Sequence, residues 1–295
     1  MQKIDGKLVS QAVRDDLAQK VKELAAKGQR APHLAAILVG NDGGSETYVA
    51  AKVKDCEEIG FGSTLTRLPD TITEHALLDE IRKLNQDSEI DGIIVQLPLP
   101  RHISPEKVIN TIDPGKDVDG FHPESVGRMV GGMPTFVSAT PFGIMMLLEY
   151  YKIETKGKHA VVIGRSAIVG TPVSILLSRN AYPGNCTVTL CHSATPNIRD
   201  LCLQADIVVA AIGKPGFVTG DMVKPGAVVI DVGTTRVADP SKKTGFSLKG
   251  DVAFDEVAPL ASFITPVPGG VGPMTRAALM KNTFLAYEAR RTFTP

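Results

Sequence analysis

The stretch His159-Ala-Val-Val-Ile-Gly-Arg-Ser-Ala-Ile-Val-Gly170 constrains this chain more than any other. Ala160 to Ile163 is a short apolar run with β-branched residues, the pattern of a strand buried on both faces. Gly164 ends it, and Ile168 to Leu177 then carries an apolar helix face. A strand that turns through glycine into a helix aims backbone N–H groups and the positive helix end at one point, where an anion can sit. The two glycines, Gly164 and Gly170, are six apart rather than in the usual G-x-G-x-x-G. Many α/β proteins turn on glycine for structural reasons alone, so this stretch by itself leaves phosphate binding open.

The next strand narrows the choice of nucleotide. A site that selects NAD carries Asp or Glu about 20 residues past the glycines to bind the ribose 2′-OH. Here the second strand, Cys186 to Cys191, ends in His192-Ser193 with no carboxylate, and Arg165 stands beside the first glycine. A guanidinium, a hydroxyl and an imidazole suit a 2′-phosphate, and a missing carboxylate removes repulsion against it. NADP is therefore favoured over NAD. The plainer alternative makes Arg165 and His192 solvated loop residues.

A chain of 295 residues is too long for one small core and points to about two domains. Lys+Arg and Asp+Glu balance at 32 each, so no global basic field exists to hold nucleic acid or an anionic membrane. Cys56, Cys186, Cys191 and Cys202 lack metal-ligand spacing and read as reduced, mostly buried thiols of a cytoplasmic protein. The first residues lack a signal-peptide apolar core, and no apolar run approaches the ~18 residues of a membrane span. No bound metal is expected.

Taken in order, Ser10 is the expected cap of a helix bearing Val13, Leu17, Val21 and Leu24. Leu34 to Val39 is a strand, Gly40 to Ser45 a loop, and Ser45 to Ile59 a helix. A weak strand lies between Leu65 and Leu68, Thr73 caps a further helix, and Gly92 to Leu97 is a strand. Ser104-Pro105 and Thr140-Pro141 are cap-plus-proline helix starts, the second opening a helix that bridges two domains. Strands are expected at 160–163, 186–191, 206–211 and 227–231, with Phe263-Ile264 as one more. Met274 to about Arg290 has the length of a long helix packing back on the first domain. This alternation is α/β in both halves.

Outside the glycine turn, few residues carry chemistry. Tyr48-x-x-x-Lys52 places a phenol and an ammonium one helical turn apart. Near the phenol and partly desolvated, the lysine would have a lowered pKa and trade protons near neutrality; the plainer reading is a surface pair with the lysine stem packed on the ring. Short-chain dehydrogenases also use Tyr-x-x-x-Lys, but downstream of their nucleotide loop, whereas here it lies upstream. Gln96 ends a strand where open α/β sheets place ligand contacts, or is simply half-exposed there. Asp117 and Asp119 either cap turns or offer a carboxylate to an amidine-like heterocycle edge.

Six stretches occur in one order: Tyr48-x-x-x-Lys52, Val95-Gln-Leu-Pro-Leu99, Lys116-Asp-Val-Asp-Gly120, Gly164-Arg-Ser-x-Ile-Val-Gly170, Gly213-Lys-Pro-Gly216 and Thr265-Pro-Val-Pro-Gly-Gly-Val-Gly-Pro-Met-Thr275. That order resembles the bifunctional methylenetetrahydrofolate dehydrogenase/methenyltetrahydrofolate cyclohydrolase family, from about Ile4 to the last helix. The resemblance implies two α/β domains, an N-terminal folate-binding catalytic domain (1–140 plus 274–295) and a Rossmann-like NADP-binding domain (141–273), joined by two bridging helices. It implies Lys52 as the proton-transfer group, Tyr48 stacked on or orienting the folate, Gln96 bonded to that lysine, and Asp119 holding the pterin edge. Gly272 and Pro273 would line the folate cleft. Gly164, Arg165, Ser166 and Ser193 would contact NADP, and Thr234 stands at a further cofactor contact. The Lys52→Ala variant would lose hydrolysis well before cofactor binding.

The resemblance also implies tetrahydrofolate derivatives as ligands and a homodimer through the cofactor domain, with neither nucleic acid nor membrane as partner. Three departures stand out. Ser138-Ala-Thr-Pro141 lacks the family's cysteine, and Asp231-Val-Gly-Thr234 puts a hydroxyl where an apolar side chain is usual. Gly43-Gly44 replaces a stiffer pair, which suggests a more mobile loop before Tyr48. Rival readings are a dehydrogenase without hydrolysis, a non-catalytic NADP-binding regulator, and another small-acid dehydrogenase of similar build.

Overall fold

A computed structural model describes residues 1–242 and 245–292. The elements run β1 (Gln2–Lys3), α1 (Gly6–Ala26), β2 (His33–Val39), α2 (Gly43–Ile59), β3 (Gly62–Leu68), α3 (Glu74–Gln86), β4 (Gly92–Val95), α4 (Pro105–Thr111), α5 (Pro123–Val130) and α6 (Ala139–Tyr150). There follow β5 (His159–Ile163), α7 (Gly170–Ser178), β6 (Thr187–Cys191), α8 (Ile198–Leu203), β7 (Ile207–Ala210), β8 (Val228–Asp231), β9 (Thr235–Ala238), β10 (Phe246–Lys249), α9 (Phe254–Val257), β11 (Phe263–Ile264) and α10 (Val271–Thr292). The chain divides into two compact units, 11–139 with 276–295 and 1–10 with 140–275.

In the first of these, β3, β2 and β4 pair in parallel. Ala35, Ile37, Ile93 and Val95 of this sheet pack with Leu77 and Ile81 of α3 and Val108 of α4. Helix starts follow the local chemistry: Thr73 accepts from Ala76 N, and Ser104 from Lys107 N with Pro105 behind it. Asp42 caps α2 through Ser45 N, so Gly43 and Gly44 lie in the first helical turn rather than in a loose loop.

In the other unit, six strands form an all-parallel sheet in the order β1-β11-β8-β7-β5-β6. Strands β5, β7 and β8 are buried along their central residues, which is why they read as continuous apolar runs. The chain leaves β5 to one side for β6 and returns to the other side for β7, so a crevice opens at the carboxyl end of β5. Strands β9 and β10 form a separate antiparallel hairpin that the sequence pattern missed. Its residues are exposed or half-buried, none fully buried, and carry no clear apolar alternation.

Residues 1–10 group with the six-stranded sheet by contact, since Gln2 and Lys3 pair with Phe263 and Ile264. Two expected helix starts are corrected. Helix α1 starts at Gly6 and Ser10 is buried within it; the capping side chain is Asp5, whose Oδ1 accepts from Lys7 N and Leu8 N. Likewise α6 starts at Ala139, and Thr140 spends its hydroxyl on Thr275 at 3.0 Å instead of capping. Residues 293–295, part of the expected 274–295 span, lie outside the described residues.

Candidate functional site

Helix α2 carries Tyr48 and Lys52 on adjacent turns, and Val49, Cys56 and Ile59 anchor its buried face. Tyr48 is 52% exposed, and no hydrogen bond joins it to Lys52 among the described residues. Lys52 Nζ instead donates to Gln96 Oε1 at 3.2 Å. Gln96 is placed by its own backbone, whose N–H donates to Ile37 O at the end of β2, and by its Nε2, which donates to Leu97 O. One turn past Lys52, the buried Asp55 carboxylate pairs with Arg14 and Arg276, each at 3.1 Å, and so ties α2 to α1 and α10. Burial raises the Asp55 carboxyl, and the two guanidinium charges work against that rise.

The Lys116–Gly120 loop sets Asp119 against this pair. Lys116 is buried, and its ammonium donates to the carbonyls of Leu84, Asn85 and Asp87, the open carbonyl end of α3. Ile93 N donates to Lys116 O, which lays the loop along β4, and Val118 fills the space where a side chain on Gly92 would stand. Asp117 faces the other way and serves the start of α5, accepting from Phe121 N, His122 N and Ser125 Oγ. The two aspartates thus have different work: Asp117 is structural, and Asp119 feels the charge of Lys52. Burial raises the Asp119 carboxyl, while that ammonium charge pulls it down.

Burial also pushes Asp117 up to about 6, against the hydrogen bonds it accepts. Between the ordinary carboxylate range and that value, the folded chain holds a proton the unfolded chain has released. The stability this proton brings is present at the acid end of the window and is lost as pH rises through about 6. The unfolding free energy of the native chain, measured relative to Asp117→Asn, should therefore fall by up to ~2–3 kcal/mol between about pH 4 and pH 7. A difference that stays constant across urea titrations at those pH values would place Asp117 outside this account.

In the six-stranded unit, the glycine turn is close-packed. Gly164 has φ 115°, and a Cβ on it would lie 2.2 Å from Ala211 O. A Cβ on Gly170 would lie 1.9 Å from Gly164 O, so the turn folds tightly on itself at the start of α7. Ser166 Oγ accepts from Val169 N and Gly170 N, which leaves its own O–H as the donor it can offer an anion. Arg165 and Ser193 are exposed near the ends of β5 and β6. His192 forms a turn, its Nδ1 accepting from Ala194 N and its own N–H donating to Thr195 Oγ1. Thr234 is exposed after β8, and Gly272 and Pro273 fall in the first turn of α10. An exposed guanidinium, two hydroxyls and no carboxylate at the end of β6 fit a nucleotide bearing a 2′-phosphate.

Sequence reasoning missed three anchoring groups: Asp55, Lys116 as a helix cap, and Asp251, whose Oδ2 accepts from Ile212 N and Gly213 N. Their partners lie far along the chain, so no local spacing marks them. Among the described residues, no group of three or more His, Cys, Asp and Glu is placed to hold a metal, and no helix is long and apolar enough to cross a membrane.

A parallel sheet with a glycine turn at its switch point, together with a separate α/β unit bearing a Lys–Gln–Asp cluster, defines a nucleotide-dependent enzyme of two α/β units. Residues 4–119 match the tetrahydrofolate dehydrogenase/cyclohydrolase catalytic domain, and residues 138–291 match the NAD(P)-binding domain of the same family. The bifunctional protein FolD of Porphyromonas gingivalis is 62% identical over 283 residues, covering 96% of either chain. Among solved structures, bifunctional FolD methylenetetrahydrofolate dehydrogenase/cyclohydrolase from Campylobacter jejuni has a TM-score of 0.92 at 43% identity, covering 98% of this chain and 99% of that one. The Trypanosoma brucei enzyme, solved with NADP and an inhibitor, has a TM-score of 0.92 at 42% identity, covering 98% of each chain. This chain belongs to the tetrahydrofolate dehydrogenase/cyclohydrolase family.

Proposed function

We propose that this bifunctional methylenetetrahydrofolate dehydrogenase and methenyltetrahydrofolate cyclohydrolase uses NADP, and that the Lys52–Gln96–Asp119 cluster is its proton-transfer and pterin-binding site. The observation that carries the reading is Lys52 held to Gln96 at 3.2 Å, with its charge acting on the Asp119 carboxyl. Arg165, Ser166 and Ser193 would hold the 2′-phosphate end of NADP, with Thr234 nearby on the β8 loop. When bound, NADP supplies the hydride acceptor.

Little is asked of the protein in the oxidation. Hydride leaves a carbon flanked by two nitrogens, both of which stabilise the methenyl cation, so no strong base is required. Asp119 would accept from the amino and ring N–H groups of the pterin, and Tyr48, exposed one turn before Lys52, would supply a ring face for the folate. Gly272 and Pro273 are assigned to folate contact. Hydrolysis is harder: water adds to the methenyl carbon and loses a proton to give a carbinol. The carbinol O–H then gives up its proton as C=O forms, while the nitrogen of the C–N bond that breaks gains one, so that one proton is released overall. Lys52 would move those protons, its orientation held by Gln96.

The test follows absorbance of purified protein with methylenetetrahydrofolate and either NADP or NAD, then hydrolysis of added methenyltetrahydrofolate. Both activities are expected, with NADP preferred; preference for NAD would overturn the Arg165–Ser193 assignment, and oxidation without hydrolysis would overturn that of Lys52. The reading includes a cytoplasmic homodimer, supported by the four buried free thiols and by the exposed β9–β10 hairpin, which pairs with no further strand among the described residues. A monomer in sedimentation velocity of the same preparation would remove the dimer.

A further inference from the structure

Two buried carboxylates behind the nucleotide crevice have no part in the chemistry above. Asp231 closes β8 at 3% exposure, and Asp251 is fully buried after β10. Asp251 Oδ2 accepts from Ile212 N at 2.7 Å and Gly213 N at 3.0 Å, two successive amides of the loop after β7. Asp231 Oδ1 accepts from Gly233 N at 3.0 Å and Asp251 N at 2.8 Å, and its Oδ2 from Val252 N at 3.0 Å. The backbone of Asp231 is pinned in turn, its N–H donating to Thr265 Oγ1 at 2.7 Å.

Glycines make room for both side chains. A Cβ on Gly250 would lie 1.9 Å from Asp231 Oδ2, and one on Gly233 would lie 2.5 Å from Asp251 Oδ1. The chain of contact ends at the glycine turn, since Gly164 packs on Ala211 O, the residue just before the two amides that Asp251 holds. Thr235 Oγ1, donating to Gly213 O at 3.4 Å, ties the same two loops together from the exposed side. Two desolvated acids side by side are costly, and Asp251 Oδ1 is buried with no hydrogen-bond partner among the described residues. Backbone amides at these positions alone do not require charge; an ordered pair of loops at the carboxyl end of the sheet does account for it.

We propose that Asp231 and Asp251 are positioning residues of the dehydrogenase reaction, linked in series so that they set the loops after β7 and β8 against the Gly164 turn and thereby set NADP affinity. The proposal rests on the NADP reading of this unit. It places the Gly213–Gly216 segment and Thr234 in register with Arg165 without either acid touching the nucleotide.

The test titrates NADPH fluorescence, and measures methenyltetrahydrofolate hydrolysis, in Asp251→Ala, Asp251→Glu and Asp251→Asn. Alanine removes the acceptor for two amides, and glutamate drives it one methylene too far; each should weaken NADPH binding and raise the NADP KM by about tenfold or more. Hydrolysis should stay within about twofold of native, because its proton-transfer group lies on α2. Asparagine keeps one oxygen for Ile212 and Gly213 and should restore NADPH affinity to within about threefold. Should the alanine variant fail to fold, the contrast between glutamate and asparagine decides. Native NADPH affinity in the glutamate variant, or hydrolysis falling in step with affinity, would overturn the proposal. A native chain that binds no NADPH would instead overturn the nucleotide reading.

Discussion

Replacing Lys52 by methionine is expected to slow hydrolysis of added methenyltetrahydrofolate by about 10²–10⁴-fold while NADPH affinity stays at its native value. Methionine keeps the length and apolar stem of the side chain and removes only the ammonium. Gln96 Oε1 then loses the donor it has at 3.2 Å, and Asp119 loses the positive charge that holds its carboxyl down. The Asp119 carboxyl should rise further, and with the proposed pterin contact this raises the folate KM as well. Helix α2 keeps its anchors, since Val49, Cys56, Ile59 and the Asp55 ion pairs are untouched. Stopped-flow absorbance at the methenyl band gives the rate, and a fluorescence titration gives the NADPH affinity. Native-rate hydrolysis in this variant would remove Lys52 from the mechanism.

The second large effect is at Gly170. Substitution by alanine would put a Cβ 1.9 Å from the carbonyl oxygen of Gly164 and 2.5 Å from its carbonyl carbon. Both are backbone atoms, and Gly164 cannot retreat because its own missing Cβ lets it lie on Ala211 O. Overlap of this kind, with no flexible side chain to yield, should cost about 3 kcal/mol or more of stability and open the turn that presents Ser166 and Arg165. NADPH binding should be lost in the folded fraction, while hydrolysis of added methenyltetrahydrofolate persists there. Urea denaturation beside NADPH titration checks both; a native midpoint with native affinity would show that the turn has slack that the packing denies.

How far the site was legible depends on how local each signal is. Thr73 and Ser104-Pro105 announce their helices because a cap bonds within its own first turn. Strands β5, β7 and β8 announce themselves because burial on both faces demands an apolar run. The hairpin β9–β10 gave no such signal, since its exposed residues need no alternation. Strand β1, two residues long, is visible only through its partner β11, more than 250 residues away in a chain of 295.

The same division runs through the chemistry. One turn of helix puts Tyr48 and Lys52 in sequence order, and a glycine after an apolar strand marks the turn, so both motifs could be read directly from the chain. Ordered resemblance of six such stretches was enough to indicate the family. Only the folded chain separates Asp117, spent on the start of α5, from Asp119, which feels the charge of Lys52, because two carboxylates two residues apart look alike until their surroundings are known. Only the folded chain brings Asp251 to Ile212 and Asp231 to Val252. Periodicity, caps and turns act over a few residues and are written in the sequence; the partner of a buried charge is fixed by which strands become neighbours, a choice made by the packing of the whole sheet.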